Sequence, residues 1–288
     1  MTRESAVGLW NALSIVERAE SPKLAKVLGP FSRPVANCYE CGVEVPTLPS
    51  KRAQTKDIGV AALFLKRTLN DLRATWNLLL QGYTSQAGSV AAAAFENALI
   101  VTCIAGDADR ANLLITSKSG ESPWSVADLC KMHMRQAQEQ AEKCGKSFSE
   151  REFDLSWREL YAQYAWLCKI KHPTMPSALH DAFSVSLKEE EYIVMAAPDT
   201  RPEDTPNKAM ILVATINRIL AAIRKFASAC EIDLGHSRVI SWQKRLDSVI
   251  PDIKEAMKPL WSKPLPVSIR NTKLAREYWK LRQTPSDK

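Results

Sequence analysis

Apolar positions recur along most of this chain in steps of three and four, the spacing of one helix face. From Lys56 onward, Ile58, Ala62, Leu65, Leu69, Leu72, Trp76, Leu79 and Tyr83 make one continuous seam, and Gly82 supplies a stop, so a helix is predicted over 56–82. The next stretch, Gln86–Gly106, is different: from Val90 to Ile104 the only polar side chains are Glu96, Asn97 and Thr102. Fifteen such residues make a helix of roughly 22 Å. That is short of the ~20 apolar residues a membrane span needs, and Glu96 with Asn97 would sit mid-span. A helix apolar on all sides is instead a core helix enclosed by others. Ala91–Ala94 let those neighbours approach closely, and the short connection predicts an antiparallel hairpin with the preceding helix.

The remaining pattern is also mainly helical. Trp10, Leu13 and Val16 mark an amphipathic helix within residues 1–26. Pro30, Pro34, Pro46 and Pro49 predict an irregular stretch to about Ser50. Ser125 with Asp128 opens a helix whose inner face carries Val126, Cys130, His133 and Ala137, and which ends at Gly145. Ser149 with Glu152 is a capping box for a helix through Phe153, Trp157, Leu160, Tyr164 and Leu167, ending near Lys171 because Pro173 follows His172. Residues 183–187 and 192–196 read as a short β-hairpin around an acidic turn. Helices follow over 208–231, with Met210, Val213, Ile216, Ile219 and Leu220 inward, and over 241–258, with a last short one near 272–281. The predicted fold is mostly α, an up-and-down helical bundle with helical N- and C-terminal extensions. Its divisions are an N-terminal helix and proline-rich loop (1–55), a helical core (56–183), a hairpin with C-terminal helices (184–258) and a basic proline-containing tail (259–288).

Composition narrows the setting more than the function. Of the 288 residues, 45% are hydrophobic and 25% charged, and ten glycines are too few for an all-β fold with many tight turns. Seven cysteines at irregular spacing do not form a disulfide framework, and the Met1 region lacks the basic start and apolar core of a signal peptide, so a reducing cytoplasm is expected. Cys38-x-x-Cys41 is half of a zinc site, but no second pair follows at finger or ribbon spacing and the nearest histidine is His133. Two loop cysteines packed against Trp10 or Tyr39 are the favoured reading; no metal and no cofactor is expected. The net charge is +7, and about five of those charges lie from Asp252 onward; this permits RNA or an acidic protein as partner, a solvated basic surface being the commoner explanation.

Candidate chemistry centres on Glu96 and Asn97, because burying a carboxylate and an amide is costly unless both find partners. Tyr161, Tyr164, Cys168 and His172 share a stripe at three- and four-residue steps, with Lys169 and Lys171 beside it. These polar tips face one direction. Structurally, Glu96 bonded to Tyr161 or Tyr164 would fix helix register, and His172-Pro173-Thr174 would be a helix stop. A Cys168–His172 nucleophile pair is a further alternative, without a visible device to lower the thiol pKa.

The run Leu78–Gly82, Gln86-Ala87, Phe95-Glu96-Asn97-Ala98-Leu99, then Tyr161-x-x-Tyr164 and His172-Pro173-Thr174, resembles a prokaryotic branch of the HEPN-like helical proteins over about residues 56–183. The resemblance implies a four- or five-helix bundle, often a homodimer, in a family that includes metal-independent RNA-cleaving toxins, toxin–antitoxin partners and antiviral defence nucleases. Active members carry Arg-x4–6-His late in the bundle with an acidic residue on an earlier helix. His172 matches the histidine and Glu96 the acidic residue as catalytic candidates, with Asn97, Tyr161, Tyr164, Lys169 and Lys171 as binding candidates. The arginine has no match: Ala165, Trp166 and Leu167 hold the allowed positions. The expectation is a non-catalytic or degenerate member that binds RNA or a partner protein. The alternatives are an active endoribonuclease with a displaced cation, and a structural partner subunit anchored through Trp261, Tyr278 and Trp279.

Overall fold

The structure is a computed structural model, described here for residues 3–53, 55–118, 121–171 and 198–260. The fold is mostly α, a helical bundle, and no strand occurs among the described residues beyond one isolated bridge between Ser50 and Ile232. Among the described residues the helices are α1 (Arg3–Leu28), α2 (Ser32–Glu44), α3 (Lys56–Leu80), α4 (Thr84–Ile104), α5 (Ala108–Ile115), α6 (Val126–Lys143), α7 (Glu150–Lys171), α8 (Thr205–Ala229) and α9 (Ser237–Met257).

α4 is the axis of the molecule. It packs on α3, α8, α7 and α6, and sixteen of its residues are buried, from Thr84 to Ile104. At 21 residues it is long and apolar enough to cross a membrane by length and composition, but 78% of its most apolar stretch lies inside the protein. Small side chains explain how so many neighbours fit. Ala87, Ala91, Ala94 and Ala98 are fully buried, facing the large seam of α3 through Leu65, Leu72 and Leu79. Gly88 lets α7 approach more closely still: a Cβ there would stand 2.8 Å from Ile170 Cγ2. Gly82, at φ +84°, makes the turn between α3 and α4, and its carbonyl accepts from Asp199 N at 2.8 Å.

The start and stop signals act as their chemistry predicts. Ser125 Oγ accepts from Asp128 N at 3.2 Å to open α6, and Gly145 (φ +70°) closes the turn after it. Ser149 and Glu152 bond reciprocally, Glu152 N to Ser149 Oγ at 3.2 Å and Ser149 N to Glu152 Oε2 at 2.7 Å.

The N-terminal prolines behave differently from the sequence expectation. They do not impose an irregular stretch to Ser50, because Pro34 falls in the first turn of α2 and Pro30 and Pro46 open short 3₁₀ turns. In a first turn the missing N–H has no intrahelical partner to lose. Cys38 and Cys41 therefore lie on a helix, fully buried. Cys41 packs not on Trp10, which is 71% exposed, but on α9: Trp242 Nε1 donates to Cys41 O at 2.9 Å. Burial pushes the Cys41 thiol up to about 11 and the Cys38 thiol higher, so both are protonated, inert core residues. The predicted hairpin and the tail helix near 272–281, with Trp261, Tyr278 and Trp279, lie outside the described residues.

Candidate functional site

Glu96 sits at the crossing of α4 and α7, which run antiparallel, with Ile170 over Gly88 and Tyr164 over Glu96. Tyr164 Oη donates to Glu96 Oε1 at 2.5 Å. The Tyr164 ring is 5.9 Å from that of Phe95 and 6.0 Å from that of Tyr161. Burial first, then hydrogen bonding with Cys168 and Glu96, holds the Tyr164 phenol well above its ordinary range. It is thus a permanent donor, suited to fixing Glu96 and unsuited to giving up a proton.

The other sequence candidates disperse. Asn97 faces the opposite neighbour, donating to Asp71 Oδ2 of α3 at 3.1 Å, since adjacent residues on a helix point about 100° apart. Lys169 is exposed on α7. Lys171 closes that helix, its side chain outside the described residues, and His172 lies outside them altogether. Among the described residues no group of three metal-ligating side chains forms.

A second locus has a different character. α6 and α8 each pack on α4 but not closely on each other, leaving a gap floored by α4. At the α4 C-terminal end this gap opens into a cleft of about 480 Å³ lined by Arg110, Lys131, Arg135 and Lys225 against only Asp107 and Glu139. Three of the four cations are held in place. Arg110 pairs with Asp107 at 3.2 Å and donates to Gln136, whose amide in turn donates to Thr102 O at 2.9 Å. Arg135 lies 4.0 Å above the Phe153 ring and 2.7 Å from Glu150. Lys131 lies 4.9 Å above Trp157. Lys225 alone has no hydrogen bond, ion pair or ring contact among the described residues.

Further along the gap, Arg218 of α8 reaches over the Phe95 ring of α4, 5.8 Å from its centroid. Its Nε is sealed from solvent without a hydrogen-bond partner. On α6 opposite, burial pulls His133 down to about 4, with the fields of Arg218 and Lys225 acting in the same direction. Burial likewise pushes the Cys130 thiol up to about 12, against the lowering field of Arg218. His133 and Cys130 are therefore both neutral.

Cys130 and His133 were placed on an inner helix face in the sequence, but the cations of α8 were missed although the signal that found Glu96 applies to them. Lys208, Ile211, Thr215, Arg218, Ala222 and Lys225 follow one another in steps of three and four, so the cations lie on a single inward seam of α8. No protein-family model, no curated protein and no solved structure matches the chain.

Proposed function

We propose that this protein is a non-catalytic, HEPN-like helical protein that binds RNA through phosphate contacts. The observation that carries this reading is the basic cleft at the α6–α8 gap, where cations outnumber carboxylates in the lining and two of them, Lys131 and Arg135, are pre-positioned by aromatic rings. Phosphate contacts need fixed positive charge and little else. The rings of Phe153 and Trp157 already carry Arg135, and Lys131 with Arg158, on their faces, so they orient cations rather than stack bases. Recognition of this kind is blind to sequence. A non-catalytic role is favoured by the α4–α7 crossing, where Glu96 and Tyr164 are committed to each other.

The test is anisotropy of a labelled single-stranded RNA across a salt series. Binding should weaken steeply and log-linearly with salt, differ little between base compositions, and fall at least tenfold in Lys131→Glu/Lys225→Glu. Mixed RNA should stay intact with or without chelator, and His172→Ala should behave as the parent. Robust cleavage lost in His172→Ala would replace this reading with the endoribonuclease one. A protein partner is the second reading, favoured by Trp10, Ile15 and Val16, which are 71%, 61% and 39% exposed on α1; no RNA binding at low salt would leave that reading standing alone.

A further inference from the structure

We propose that the α6–α8 gap contains an anion seat built by Arg218, with Lys225 and His133 beside it, which takes a phosphate group. It stands apart from the RNA reading, because it follows from the missing counter-charge of Arg218 rather than from the cleft. An arginine cannot shed its proton in a protein, so the half-buried Arg218 guanidinium, its Nε sealed from solvent, keeps its charge. Such a charge is normally answered by a carboxylate, and here it is not: Arg218 makes no hydrogen bond or ion pair among the described residues.

The surroundings supply donors and no paired negative charge. Neutral His133 offers one N–H, the protonated Cys130 thiol offers a weak S–H, and Lys225 adds a second cation two helical turns along α8, about 10 Å away. Among the described residues Glu159 is the one carboxylate whose field reaches Arg218; it is exposed on α7 and forms no ion pair with Arg218. The Phe95 ring beneath the guanidinium fixes its plane without neutralising it. Planar N–H pairs of a held arginine match two oxygens of a phosphate, and the bound anion would supply the charge that the fold omits.

The seat is tested with inorganic phosphate and the full chain. Calorimetry should show saturable binding near one per chain, absent with chloride at equal ionic strength. Thermal unfolding should shift upward with phosphate, as for any ligand that binds only the folded state. Arg218→Met should weaken phosphate at least tenfold, and Lys225→Met several-fold. Calorimetry on the parent needs no variant to fold, so absence of saturable phosphate binding there overturns the seat. An unchanged phosphate affinity in a folded Arg218→Met protein also overturns it. The source of the phosphate is read by competition. Phosphate that displaces labelled RNA assigns the seat to the nucleic-acid backbone; phosphate that binds without displacing it assigns the seat to a free phosphate or phosphomonoester. Phosphate binding in a protein that ignores RNA would sustain the seat while removing the RNA reading.

Discussion

Two cations on the same inward seam of α8 meet opposite treatment. Lys208 is 1% exposed and fully answered: its ammonium pairs with Asp204, which also accepts from Thr84 Oγ1 at 2.6 Å and Asn207 Nδ2 at 2.7 Å. Arg218, ten residues on, has neutral His133 and Cys130 nearby and no paired carboxylate among the described residues. The first arrangement is closed, with every strong group satisfied inside the fold, and it pins the N-terminus of α8 to that of α4. The second is open, and its missing part is an anion. Burial of a charge is thus not in itself a sign of function; burial without a counter-charge is the informative case.

The sharpest way to break the comparison is to open the closed cluster. Asp204→Ala would leave Lys208 buried and uncompensated, and should cost about 3–5 kcal/mol. Urea unfolding monitored by circular dichroism measures it. Asp204→Ala with Lys208→Met should recover most of the loss, since the pair removed together leaves no orphan charge. A single variant as stable as the parent would mean that Lys208 escapes to water, and the contrast with Arg218 would collapse.

The open site has a pH signature. His133 titrates near 6.5 when unfolded and about 4 when folded, so between those values the unfolded chain binds more protons. Its stabilising contribution is complete above 6.5 and declines as the pH falls towards 4. The full shift corresponds to about 3 kcal/mol, and partial exposure of the side chain reduces this to about 1–2 kcal/mol. Neighbouring charges enter the balance: Arg218 and Lys225 from α8 lower the value, and Cys130 on the same helix stays protonated. Carboxylates titrate in the lower half of the window, so the readout is the difference between parent and His133→Gln. That difference should grow from pH 6.5 to 5 and should shrink when phosphate occupies the seat.

How far the sequence foretold this arrangement depends on what each signal measures. Helical periodicity reports which face is buried, and it located α3, α4, α6 and α7 within a few residues, with the caps at Ser125 and Ser149. Proline was misread at Pro30, Pro34 and Pro46, because its effect depends on whether it falls inside a helix or in the first turn. A polar residue in an apolar stretch reports a requirement for a partner but not the partner's direction. Glu96 and Asn97 share that signal, yet one bonds to α7 and the other to α3. Lys208 and Arg218 give the same signal. Lys208 is answered by Asp204, four residues earlier at the start of its own helix, a spacing visible in the sequence. Only tertiary packing adds Thr84 of α4 to that pair and leaves Arg218 without one among the described residues. The Glu96 bond has its own test. Tyr164→Phe removes the donor and leaves the carboxylate partly buried, at about 1–2 kcal/mol. A loss of that size in urea unfolding, with RNA affinity unchanged, would place Tyr164 in register-keeping and not in binding.

The smallest expected effect has the most informative sign. Arg218→Met keeps the length and apolar stem of the side chain over Phe95 and deletes the charge. Where a cation is answered, as at Lys208, deleting its counter-ion destabilises; where it is unanswered, deleting the cation itself removes a desolvation cost with no attraction lost in return. In buffer free of phosphate the variant should therefore be as stable as the parent or about 1 kcal/mol more stable. Adding phosphate should reverse the order, because the parent gains ligand stabilisation and the variant does not. A crossing of the two stability curves along a phosphate titration is the outcome expected only if the missing counter-charge is an anion from outside. Were Arg218→Met less stable at every phosphate concentration, the guanidinium would be answered within the fold, and the two cations of α8 would differ only in which partners they found.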